Sequence, residues 1–277
     1  MTTTTPPPRG VQPVRPRSAR RWPWPLSLYQ SAVGKKWVMA VTGLGLVGFV
    51  VFHMIGNLHL YEGPRQVAEY AEALRDLGGH LVPRTLLLWL LRFGLIIMFA
   101  LHIHAAYSLR ALGGKTSDAI DPVTGNKKYA TKQDFIAANF ASRTMRWTGP
   151  IIALYLLYHL ADLTWGNAPP SADDWVRGDP YHNVVISLGN PVVAAFYAAA
   201  TIALVIHLYH GVYSMFQSLG INNPKINRWK RGISVGIAGI LLVGNLSFPI
   251  MVQAGLINED DRTTPIPPTE EVEEASE

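Results

Sequence analysis

The sequence contains no cysteine in its 277 residues. That absence excludes disulfides, thiol catalysis, thiolate zinc sites, cysteine-held iron–sulfur clusters and haem tethered through a C-x-x-C-H motif. A metal here must be held by His, carboxylate or Met. Charge is also scarce. Asp, Glu, Lys and Arg make up 16% of the chain, against roughly 25% in soluble domains. Apolar residues make up 49%, and they are segregated: both ends are polar and the middle is not. Such a composition excludes a collagen, a disulfide scaffold and a wholly disordered chain.

The apolar residues gather into five runs: Trp37 to Leu60, Thr85 to Leu109, Trp147 to Trp165, Pro191 to Gln217 and Ile233 to Leu256. A run of about 20 apolar residues is long enough to cross a bilayer as a helix. Trp37, Tyr61, Trp147, Trp165 and Trp229 lie at the ends of runs, where interfacial anchors belong. The expected fold is all-α, an integral membrane bundle of five transmembrane helices over residues 27–256. Residues 1–26, rich in Pro and Arg, and the acidic tail 257–277 read as disordered or loosely docked. Between the first two runs, Gln66 to Leu77 reads as a short amphipathic helix.

Five crossings put the N-terminus, the second loop and the fourth loop on one side. That side carries 18 of the 24 basic residues. The bias predicts a cytoplasmic N-terminus and a C-terminus outside. It also accounts for the net charge of +5, and nucleic-acid binding has no further support. Gly43-Leu44-Gly45-Leu46-Val47-Gly48 spells G-x-G-x-x-G. It lies inside the first run without a preceding strand, so it reads as close helix packing or room for a flat cofactor rather than a dinucleotide site.

Seven of the nine histidines lie in or at the ends of runs. Polar groups at membrane depth are costly and usually functional. At 1.5 Å of rise per residue, His53 lies about 24 Å and His159 about 18 Å from the inner edge. His104 and His207 lie about 9 and 15 Å from it. The four therefore sort into an outer pair, His53 with His159, and an inner pair, His104 with His207. Two imidazoles facing each other between helices suit iron in a porphyrin, with both axial positions filled and electron transfer as the outcome. Zinc fits less well, because a structural site wants four close ligands. His102, His210 and His59 read as hydrogen-bonding groups for haem propionates, quinone oxygens or backbone. Arg92, the one charge well inside a run, reads as a partner for a propionate or an anionic quinone, with snorkelling as the plain alternative.

Four local patterns then carry a resemblance. They are Phe52-His53-Met54, His104-Ala105-Ala106-Tyr107, Arg146-x-x-Gly149 ten residues before His159, and His207-x-x-x-Gly211-x-x-Ser214. In this order, on four successive runs with a fifth following, the sequence resembles the five-helix, two-haem cytochrome b anchor subunit of bacterial succinate dehydrogenases and fumarate reductases. The long N-terminus, the second loop from Gly113 to Ala141, the acidic tail and the extra histidines depart from it.

The resemblance implies two haem b groups, ligated by His53 with His159 and by His104 with His207. It implies a flavoprotein subunit and an iron–sulfur subunit as partners, with the iron–sulfur subunit docked on the basic face. Electrons would pass to a membrane quinone, menaquinone favoured, in the bacterial cytoplasmic membrane. The chain would be part of an enzyme without holding a dicarboxylate active site itself, and a higher oligomer stays open. Depth and chemistry suggest quinone-binding residues on the inner side (Ser31, Arg146, Trp147, His210, Tyr213, Gln217) and on the outer side (His59, Tyr61, Glu62, Arg92). Two alternatives remain: the anchor of a quinol:fumarate reductase running in reverse, and a haem-free proton-coupled transporter using the histidines as a relay.

Overall fold

The computed structural model describes residues 23–117, 136–221 and 223–259. All regular structure among them is helical. The elements are α1 (Trp24–Gln30), α2 (Ala32–Asn57), α3 (Pro64–Arg75), α4 (Leu86–Ser117), α5 (Ile136–His159), α6 (Pro180–Gly189), α7 (Pro191–Ser218) and α8 (Pro224–Gln253).

Local chemistry sets several boundaries. Ser31 separates α1 from α2: its hydroxyl donates to the Leu28 carbonyl at 2.7 Å and accepts from the Gly34 amide at 2.9 Å, an N-cap. Asn190 caps α7 by accepting from the Val192 and Val193 amides, with Pro191 at the first helical position. Asp179 caps α6 in the same way. The amphipathic helix expected over 66–77 forms as α3, shifted to Pro64–Arg75 because Pro64 starts it. α1 begins at Trp24, inside the segment expected to be loose, and residues 1–22 lie outside the described residues.

α2, α4, α5, α7 and α8 pack as a bundle, in which α7 touches α8, α5 and α2, and α4 lies against α2. Side-chain contacts give the directions. Gly45 faces Met98 and Gly43 faces His102, so α2 and α4 are antiparallel. Thr148 meets His207 and His159 meets Tyr197, so α5 and α7 are antiparallel. Met54 lies at Gly244 and Tyr61 at Ser247, so α8 runs with α2. With α1 set at the bottom, α3 and α6 close the top.

Among the described residues, four helical stretches are long and apolar enough to cross a membrane: Ala32–Glu62, Leu86–Leu112, Pro191–Ser218 and Ile226–Gln253. Five were expected. The difference is α5, whose apolar stretch is diluted by Tyr155, Tyr158, His159 and Asp162 and which opens into a wide π turn over Leu160–Thr164. Many large apolar side chains on the helices are exposed, among them Phe52, Leu90, Ile96, Leu154, Ile240 and Val243. An apolar exterior of this kind suits lipid as solvent. The start of the acidic tail is docked: Ile257 is buried, and the Tyr181 hydroxyl donates to the Asn258 carbonyl at 3.1 Å. Residues 118–135 in the second loop and 260–277 lie outside the described residues.

Candidate cofactor site

The bundle places imidazoles at two levels. At the upper level, the rings of His53 on α2 and His159 on α5 have centroids 6.0 Å apart at 84°. At the lower level, His102 on α4 and His207 on α7 have centroids 6.5 Å apart at 65°. Two imidazoles bound to one metal from opposite sides, each through a ring nitrogen at about 2.0–2.1 Å, have centroids roughly 6.3 Å apart. Both couples fall at that separation. The two levels are separated by the eleven residues from Thr148 to His159, about 16 Å of helix.

The lower couple differs from the expected one. His104 does not face His207. Residues two apart on a helix point to nearly opposite faces, and it is His102 that is turned inward. His104 is exposed, with its Nδ1 2.5 Å from the Tyr29 hydroxyl of α1. Sequence patterning put the two histidines on different faces but did not say which face the bundle buries.

Two buried threonines fix the lower rings. The Thr42 hydroxyl donates to the Val38 carbonyl at 2.6 Å, which leaves its oxygen to accept. His102 Nδ1 lies 3.3 Å from that oxygen and 3.2 Å from the Met39 carbonyl. On the other side, the Thr148 hydroxyl donates to the Thr144 carbonyl at 2.9 Å and accepts from His207 Nδ1 at 3.2 Å. Each ring therefore carries its proton on Nδ1 and presents a bare Nε2, the tautomer a metal requires. Sequence reading missed both threonines; their only signal is a hydroxyl directly before a glycine, Gly43 and Gly149.

The upper rings are held by aromatic contacts. His53 stacks on Phe49 at 5.3 Å, and His159 lies between Tyr155 at 5.6 Å and Tyr197 at 5.9 Å. Among the described residues, His159 Nδ1 is buried without a hydrogen-bond partner. A buried ring nitrogen without a partner is costly unless something else takes its lone pair or proton. His53 remains exposed although its ring faces His159, so the couple borders open space.

Glycines supply room. A Cβ on Gly43 would come within 3.2 Å of His102 Cε1, so the first glycine of G-x-G-x-x-G lets that ring lie against α2. A Cβ on Gly48, Gly94 or Gly211 would meet no atom within 4 Å. Among the described residues no cluster of three or more His, Asp or Glu side chains could hold a bare metal ion. Opposed pairs beside small residues fit a metal that brings four equatorial ligands with it, as in a porphyrin.

The proposed quinone residues fall into separate groups. At the top, His59 Nδ1 pairs with Glu62 at 2.7 Å and its ring lies 4.9 Å from Tyr70, while the Tyr61 hydroxyl donates to Ser247 at 2.5 Å. Arg92 is exposed, and its guanidinium lies 5.0 Å from the Trp89 ring, one turn back along α4, rather than at the histidine couple. At the bottom, the Ser31 hydroxyl is engaged at the start of α2, and Arg146, Trp147 and Gln217 are exposed. His210 is half-buried with its ring 5.0 Å from Tyr209. Tyr213 lies 6.0 Å from the ammonium of buried Lys230.

A comparison with protein families bears on the half of the bundle that holds His159 and His207. Residues 135–246 match the succinate dehydrogenase/fumarate reductase transmembrane subunit family. The match spans α5, α6, α7 and most of α8, under half of the chain, and it supports the resemblance to that anchor subunit. α2 and α4, with His53 and His102, lie outside it. No curated protein and no solved structure matches the chain.

Sequence reading also missed Asp162. It lies in the π turn after α5 and is almost wholly buried at 1% exposure. Its signal was an acid inside an apolar run, three residues after a histidine.

Proposed function

We propose that this chain is the membrane anchor and electron-carrying subunit of a succinate:quinone oxidoreductase. The observation that carries the reading is the pair of opposed imidazole couples at two levels, each at a separation suited to a metal between its rings. His53 with His159 would hold one haem b, and His102 with His207 the other. A haem held by these residues would supply one-electron transfer.

The remaining roles belong to the chain. α5 serves as the fifth span, with its polar residues turned to the bundle interior, as in-membrane polar groups require. The α1 end is the cytoplasmic end, following the basic bias. Its exposed arginines, Arg110, Arg146, Arg228 and Arg231, offer a positive face to an iron–sulfur subunit, which a flavoprotein subunit supplies with electrons from succinate. Thr42 and Thr148 hold the lower rings in one tautomer. At the top, His59, Tyr61 and Glu62 present two hydrogen-bonding groups and a carboxylate beside apolar surface, a setting in which quinone carbonyls are bound and protonated. Menaquinone is the expected quinone.

The test is a reduced-minus-oxidised optical spectrum with haem quantitation on the purified complex. Two b-type haems per chain are expected. A haem-free protein would leave the proton-coupled transporter as the better reading.

A further inference from the structure

Asp162 is the most deeply buried acid among the described residues, and neither the haem ligation nor the quinone reading uses it. Three hydroxyls converge on its carboxylate. Ser171 donates to Oδ1 at 2.6 Å, Tyr197 donates to Oδ2 at 2.8 Å, and Ser187 donates to Oδ2 as well. They come from the loop after α5, from α7 and from α6. No lysine or arginine pairs with the carboxylate among the described residues. A buried carboxylate is tolerated when hydrogen-bond donors replace its water, and three donors do that here without neutralising it.

Tyr197 ties this charge to the upper couple. Its hydroxyl is on the Asp162 carboxylate, and its ring lies 5.9 Å from that of His159. The π turn begins at the residue after His159 and carries Asp162 as its third residue. Among the described residues the lower couple has no counterpart: its rings are held by threonine hydroxyls and a backbone carbonyl, all neutral.

We infer that Asp162 is a fixed negative charge that lowers the reduction potential of the upper haem relative to the lower one. The oxidised iron carries one more positive charge than the reduced iron, so a nearby anion favours oxidation. In the low dielectric of a bundle that interaction is weakly screened. Asp162 acts through the field at His159 and is a positioning and tuning residue, not a ligand. The inference rests on the upper couple holding a haem.

The experiment is an optical redox titration of the intact complex carrying Asp162→Asn, compared with the unsubstituted complex and with Asp162→Glu. A His53→Ala variant identifies which midpoint belongs to the upper haem. Asn should move the upper midpoint upward and leave the lower one in place, and Glu should restore the original value. Unmoved midpoints overturn the inference, as does an equal shift with Asn and Glu, which would signal geometry rather than charge. Loss of the upper haem from an assembled Asn complex also overturns it. Should the Asn variant fail to accumulate, Ser171→Ala removes one donor and keeps the charge. It should lower the upper midpoint, and an unmoved or raised value overturns the inference. A haem-free unsubstituted complex would instead sink the functional reading beneath it.

Discussion

At the scale of single residues, the informative position is the choice between His102 and His104. Depth arithmetic and local resemblance both pair His104 with His207, and His102 reads as a hydrogen-bonding group. Depth cannot separate residues two apart on one helix, and the local pattern, which begins at His104, does not say which ring the bundle buries. The bundle separates them through Gly43, whose missing side chain admits the His102 ring. His102→Ala should remove one of two haems, while His104→Ala should keep both. Haem-to-protein ratios measured on the two purified variants decide this, and the opposite result would restore His104. Gly43→Leu should act like His102→Ala, because its Cβ alone reaches 3.2 Å from the ring and the branched remainder has to displace it. The nearness of the His53 and His159 rings was legible, since neither has a rival within two residues. Thr42, Thr148 and Asp162 were not, because their meaning comes from neighbours on other helices.

At the scale of elements, the long helices and the amphipathic α3 were legible because their apolar runs and proline starts are local signals. The docking of Asn258 and Glu259 onto α6 was not, since it joins segments 77 residues apart. There His182 places Nε2 2.9 Å from the Asp174 carbonyl and Nδ1 3.0 Å from Glu259. Both partners only accept, so the ring donates from both nitrogens and is an imidazolium when the clasp is closed. Burial alone would lower the His182 pKa. The Asp174 carbonyl and the Glu259 carboxylate outweigh burial and raise it above 6.5. A raised value in the folded state means the clasp contributes its full stability below pH 6.5 and loses it as pH rises through the folded pKa. Partly exposed pairs are worth about 0–1 kcal/mol, so the tail should open up to about fivefold more often in alkali. Hydrogen exchange of the amides near Asn258 across that pH range should report this. His182→Ala should flatten the profile, and a flat profile in the unsubstituted protein would reject the clasp.

At the scale of the whole molecule, the two levels lie about 16 Å apart along the bundle, and in the proposed membrane orientation this separation has an energetic consequence. The α1 end faces the iron–sulfur subunit in the proposed arrangement, while His59, Tyr61 and Glu62 lie together at the opposite end. An electron entering at the His102–His207 level and leaving toward that upper cluster moves from the cytoplasmic side outward. Quinone reduced there takes its protons from outside. Moving one charge through the full membrane potential involves about 2.3 kcal/mol per 100 mV. The two levels are only about 16 Å apart, so transfer between them covers roughly half of a 30 Å hydrocarbon core, and entry and exit steps supply the rest. With a potential negative inside, outward movement of electrons is downhill in the field. Succinate oxidation should therefore be faster in energised membranes and slow when an uncoupler collapses the potential. Sealed vesicles with succinate on the cytoplasmic face, assayed with and without uncoupler, measure the ratio directly. Equal rates would mean that quinone is reduced at the α1 end, near Ser31 and Tyr213, and that the upper couple lies off the route of the electrons.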